Sequence, residues 1–304
     1  MEDRKVLRWT LYIGFGIGTF LFSMISTFPT SVAAQQVSTQ LKKALPRNMN
    51  VELGGVGLTF PFGVEATDVK LKMGRNSTAP TYEFDSVRIE PALSALVQQQ
   101  MGGSATVEIG GGQINAKFGQ GGAGQVEFKA SADGVNLHSI PALSSSTNLP
   151  LMGTVGLEAE GEWKGSLAKS SFDASLTTAN LGMGATKVFS VSLPTISLGN
   201  VNLKVSNKQG KMELTEFAQV GGNFSVQAIG NVRLKQNFYS STLDLCFKLR
   251  GDDAFLKENP KLKASMDLGT AMLHKDGEGY LHAPVKGPIR AMRPPRSPKP
   301  CKGL

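Results

Sequence analysis

The sequence predicts a mainly β protein: a twisted, curved antiparallel sheet, built as a groove or a sandwich, with a few short helices and one N-terminal transmembrane helix. Three observations carry this. From Met49 onward apolar and polar residues mostly alternate with period two, the pattern of strands with one dry and one wet face. Thirty-five glycines against two tryptophans fit many short strands and turns better than a helical bundle. Ahead of Met49, residues 9–34 form an uncharged, largely apolar run.

That run comes first in the chain. Leu11 to Phe28 would rise about 27 Å as a helix at ~1.5 Å per residue, close to the ~30 Å hydrocarbon core of a bilayer. Arg4, Lys5 and Arg8 precede it, which keeps residues 1–8 cytoplasmic and exports the rest. Val32-Ala33-Ala34 also has the small residues of a signal-peptidase site, so a cleaved leader is the competing reading. Gly14 and Gly18 have the G-x-x-x-G spacing of a helix–helix contact in a membrane. Val37, Leu41 and Leu45 then suggest a short amphipathic helix that stops at Pro46.

The exported body, residues 35–285, reads as about a dozen strands. Val51 and Leu53, then Val69, Leu71 and Met73, then Phe84, Val87 and Ile89 mark the first of them. The clearest apolar row is Phe224, Val226, Ala228, Val232 and Leu234, interleaved with polar residues and broken only by Ile229. Leu243, Leu245 and Phe247 repeat the pattern and put Cys246 on the more polar face. These eight apolar residues are the candidate core or groove face. Pro91 with Leu93, Leu96 and Val97 suggests one short helix, and residues 252–273 another, interrupted by Pro260.

The stretch Gly110–Ala130 contains a literal G-x-G-x-x-G at Gly119, Gly121 and Gly124. A dinucleotide fingerprint needs a strand before these glycines and a helix after them. Here Ile114, Ala116 and Phe118 alternate with polar residues before the loop, and Val126, Phe128 and Ala130 do so after it. The glycines therefore join two strands of a hairpin, supplying the positive φ such turns demand.

Residues 286–304 are a basic, proline-rich tail that reads as disordered or polyproline. Six of the chain's formal +8 charges lie in it, and the first eight residues carry one more net charge, so the body is nearly neutral. That distribution argues against a nucleic-acid partner.

Nothing points to an enzyme. His138, His274 and His282 show no zinc spacing, no nucleophile elbow or phosphate loop occurs, and Glu158, Glu160 and Glu162 fall on one solvated strand face. No catalytic, cofactor or metal residue is assigned. Cys246 and Cys301 fix no disulfide framework, although a bridge between them can form in an oxidising compartment.

Four stretches resemble a known family: TFPTSVAAQQVSTQLKKAL with MNVELGGVGLTFPFGVEATDVKL, DGVNLHSIPALSSSTNLPLMGTVGLEAEGEW, KMELTEFAQVGGNFSVQAIGNVRLKQNFYSSTLDLCFKL, and GEGYLHAPVKGPI. They are similar to the type II secretion system protein N family, itself similar to AsmA-like periplasmic proteins. The resemblance implies a single-pass protein of the bacterial inner membrane, its body in the periplasm, working with other secretion-system or envelope proteins. The AsmA-like relatives imply an alternative, a module that binds or transfers phospholipid. A dry face packed on itself would favour the scaffold, and a continuous open trough the lipid reading.

Overall fold

The computed structural model describes Thr19, Thr39 and residues 49–59, 63–73, 81–92, 95, 100, 102–122, 125–140, 150–188, 191–236, 240–269, 273–289 and 300–301. Of the expected membrane helix only Thr19 is among these residues, and of the amphipathic helix after it only Thr39, both helical; Gly14 and Gly18 lie outside them. Among the described residues no helix is long and apolar enough to cross a membrane. The chain divides into two compact units, Met1–Pro91 and Ala92–Leu304.

In the first unit, β1 (Met49–Glu52) and β2 (Gly55–Thr59) pair in succession with β3 (Gly63–Met73), and β4 (Thr81–Pro91) pairs with the other side of β3. All pairings are antiparallel. The apolar phase changes along β3, from Val64 and Ala66 to Val69 and Leu71. The change falls at Asp68, which adopts φ 49° where the β2 pairing gives way to that of β1. It explains why Phe84 and Val87, three residues apart, can both belong to apolar rows of β4: they face Val69 and Ala66 across the change.

The second unit is built on one unclosed antiparallel sheet. Its strands are β5 (Gly102–Ile109), β6 (Gly112–Gln120), β7 (Val126–Asn136), β8 (Leu151–Trp163), β9 (Ser171–Met183), β12 (Ile196–Lys208), β13 (Lys211–Val220), β14 (Phe224–Arg233), β15 (Thr242–Gly251), β17 (Leu281–Pro288) and β16 (His274–Lys275), in that spatial order. A separate ribbon joins β10 (Thr186–Val188) to β11 (Val191–Leu193). Register shifts in β8 and β12, with Asn180 of β9 at φ 53° between them, bend one end of the sheet. Among the described residues of this unit, every strand belongs to this sheet or to the β10–β11 ribbon.

The hairpin expected at the glycine-rich stretch is present, with Gln120 opposite Val126. Its glycines act differently from the expectation. Gly119, Gly121 and Gly122 keep ordinary φ and Gly124 lies outside the described residues, while positive φ values occur in the preceding β5–β6 turn, at Gly110 (60°) and Gly111 (73°).

Residues 252–273 hold two helices rather than one interrupted helix. Asp252 caps α1 (Asp253–Glu258), its carboxylate accepting from Phe255 N at 3.0 Å, and Pro260 opens α2 (Pro260–Gly269). The ring of Phe255 meets that of Phe224 edge-on at 5.9 Å, so α1 covers the Phe224 end of one sheet face. The helix suggested after Pro91 cannot be followed, since 93–94 and 96–99 lie outside the described residues.

The boundary drawn before Lys286 falls inside β17, which contains Pro284 and Pro288. Both prolines are accommodated because β16 reaches only Leu281 and His282 of β17. Ile289 N donates to Ser241 O, so odd-numbered residues aim their N–H groups at the β15 side, and even-numbered ones, Pro284 and Pro288 among them, face outward. At an outward edge position a missing N–H costs nothing. Further along, Cys301 is buried and disulfide-bonded to Cys246, with a Cα–Cα separation of 5.8 Å.

Candidate functional site: an apolar face with an alanine floor

In an antiparallel sheet, residues directly opposite one another share a face. Following the register across the second unit therefore sorts its side chains into two faces. One carries Lys117, Lys129, Glu160, Asp173, Lys204 and Glu216, with ion pairs such as Lys129–Glu160 (3.4 Å) between neighbours. Glu158, Glu160 and Glu162 of β8 are on this wet face, as alternation along the strand suggested.

The other face is mainly apolar, with Asn207 of β12, opposite Phe172 and Met212, and Thr178 of β9 as polar exceptions. Its central row runs Ala105, Ala116, Ala130, Ala159 and Ala174 across β5 to β9, each opposite the next, and then continues through Val205 of β12 to Leu214 of β13. At ~4.8 Å between strands the five alanines span about 19 Å. A row of mostly larger aliphatics borders them on one side, Val107, Ile114, Ala132, Leu157, Leu176 and Leu203, with Ala132 the one small member. On the other side stand Phe118, Phe128 and Phe172, with Gly161 between the last two. A Cβ at Gly161 would collide with Cα and Cβ of Phe172 and with Ser171 O, so only glycine fits opposite Phe172 here. The alanines form a floor between two higher walls.

This face is not a closed core. All five alanines are only half-buried, and Phe118 and Trp163, on the aromatic side, are each 40% exposed. The residues singled out in the sequence belong to its far end. Phe224, Val226, Ala228 and Val232 of β14 lie opposite Gly251, Leu249, Phe247 and Leu243 of β15, with Leu245 opposite Gly230. Leu234 follows β14, buried at 5% exposure, and its N–H donates to Gly210 O at 2.7 Å. Between β13 and β14 the face deepens into a cavity of about 180 Å³, lined by Leu214, Phe217, Ala228, Val232, Leu245 and Phe247 among others.

A second cluster sits on the polar face, where Cys246, Lys248 and His282 are brought together. Cys301 N donates to Nδ1 of His282 at 2.7 Å, and Nε2 of the same ring meets Asp276 Oδ2 at 3.0 Å. Asp276 also accepts from Glu278 N and Tyr280 N. These bonds, the one with His282 foremost, hold its carboxyl down at about 2. His274 packs edge-on against His282, ring centroids 5.1 Å apart. Among the described residues no group of His, Cys, Asp and Glu side chains is arranged to hold a metal ion.

The alanine row and the His282 cluster were not singled out from the sequence. Each alanine is an ordinary alternating strand position, and only the register lines them up. No protein-family model, curated protein or solved structure matches the chain.

Proposed function

We propose that the second unit binds the acyl chains of phospholipids or related amphiphiles along its apolar face, as a lipid-handling module of the cell envelope. One observation carries this reading: a continuous apolar row, floored by small residues between higher walls, that stays half-exposed because no second layer covers it among the described residues. A protein core with this composition would be closed. The alanine floor is longer than the ~15 Å that one chain spans in half of a ~30 Å bilayer core. The opposite face, with its paired charges, is suited to water.

The Cys246–Cys301 bridge supports an oxidising compartment such as the periplasm. Attachment to a membrane rests on the apolar run of residues 9–34 and its basic flank, whereas partnership with type II secretion proteins follows from the resemblance alone. Lipid binding is compatible with both.

The test is native mass spectrometry of the full-length protein, comparing wild type with Ala159→Glu. Co-purified phospholipid should be present in wild type and lost from the variant, whose circular dichroism should be unchanged, because a half-exposed carboxylate is tolerated by the fold and not by a hydrocarbon ligand. If the variant unfolds, the face is a closed core and the scaffold reading takes its place. Retention of lipid by a folded variant would place the ligand elsewhere.

A further inference from the structure

We propose that the cavity between β13 and β14 receives the methyl end of the bound acyl chain, and that Gln219 is the residue that keeps it open. This rests on the reading of the apolar face as an acyl-chain site and adds where the chain stops.

The two strands form a hairpin, yet their ladder is short. Lys211–Leu214 pair with Gly230–Arg233, and no pair follows between residues 215–220 and 224–229. The parting begins at Gly230, which adopts φ 136° and whose position would bring a Cβ into Asp244 O. At the far end the side chain of Gln219 replaces the ladder. Its Oε1 accepts from Val226 N, and its Nε2 donates to Phe224 O and, at 2.7 Å, to Leu198 O. A side chain now spans what two backbones would otherwise bridge directly, so the strands stay separated and the gap persists.

The gap opens where the 180 Å³ cavity lies. Apolar cavities of roughly this size, ~150 Å³ in a well-studied engineered case, stay dry and take small hydrocarbons. A headgroup is excluded as occupant, because the wall is almost entirely hydrocarbon, with Asn231 the one polar residue lining it. The alanine row points to the occupant. It runs without a break from Ala174 through Val205 to Leu214, at the rim, and on to Gly230. A chain lying on the floor therefore reaches the cavity end-first.

The experiment measures affinities of the full-length protein for saturated lysophospholipids from octanoyl to stearoyl, in wild type and in Ala228→Leu, which fills the cavity. Wild type should gain at least about tenfold between lauroyl and stearoyl chains, and the variant should lose that gain while binding octanoyl chains as before. An identical chain-length profile in the variant would overturn the end pocket and leave the acyl-binding face standing. No binding of any chain by wild type would sink both. Should Ala228→Leu fail to fold, wild type with spin-labelled stearates decides. A label near the methyl end should broaden the methyl signals of Ala228 and Leu245 and one near the carboxylate should not; equal or reversed broadening overturns the proposal.

Discussion

The backbone N–H of Cys301 donates to Nδ1 of His282 at 2.7 Å, while the Sγ of Cys301 is bonded to Cys246 on the neighbouring strand. In this arrangement Nδ1 acts as acceptor and Nε2–H as donor to Asp276, so a neutral imidazole, 3% exposed, joins the chain terminus to the β16–β17 turn. A segment whose composition argues for disorder is thereby fastened to the sheet at Cys301.

Breaking that fastening should cost stability. The bridge joins residues 55 apart in sequence, and closing a loop of this size is worth about 4 kcal/mol in the chain-entropy picture. The double variant Cys246→Ser/Cys301→Ser should unfold at lower denaturant concentration, and reductant should shift wild type but not the variant. Coincident curves for oxidised and reduced wild type would contradict this.

Asp276 gives a pH signature. Its carboxyl titrates at about 2 in the folded protein, below the ordinary value of 3.8, so the folded state favours the ionised form. The stabilisation is complete above about pH 4 and is lost as pH falls from there through about 2. Asp276→Asn should therefore be less stable than wild type at neutral pH, and the difference should shrink across that acid window. A constant difference in chemical denaturation down to pH 2 would show that the carboxylate's charge is not involved.

At the outer edge of the sheet, Pro284 and Pro288 withhold two outward N–H groups that a foreign strand would need. Pro284→Val/Pro288→Val should restore them and promote strand-to-strand association, seen as concentration-dependent oligomers in sedimentation velocity. A variant that stays in the wild-type state at high concentration would mean the edge is guarded by something else.

Gln219→Ala should remove the side-chain bridge between β13 and β14, leaving Val226 N and Phe224 O without this partner. The expected loss is about 2 kcal/mol, the usual cost of stranding backbone groups. Amide exchange should rise first at Val226. If the strands instead zip together, Val226 will remain protected and the cavity will vanish, which a crystal structure would show.

Much of this fold was legible in the sequence because strand alternation is a local property. Phe224 to Arg233 and Leu243 to Leu249 could be assigned to strands with a dry face, and Cys246 to the wet side, from period two alone. The turn between Gln120 and Val126 was equally local, although Gly121 and Gly122 there keep ordinary φ. Pro260 was read as an interruption and is the start of a helix, a position where its missing N–H is harmless.

The amino-acid sequence by itself determined which residues could turn toward water and which away from it, and hence a β-rich chain with amphipathic strands. Only the tertiary structure decided what the apolar side became. Ala105, Ala116, Ala130, Ala159 and Ala174 are scattered over seventy positions, and they make one floor because a particular register sets each opposite the next. The parting of β13 from β14 and the approach of Cys301 to His282 are likewise long-range facts. The physical reason is that a strand's pattern fixes the face of each side chain, whereas pairing register and loop closure fix its neighbours, and these depend on residues far away in the chain.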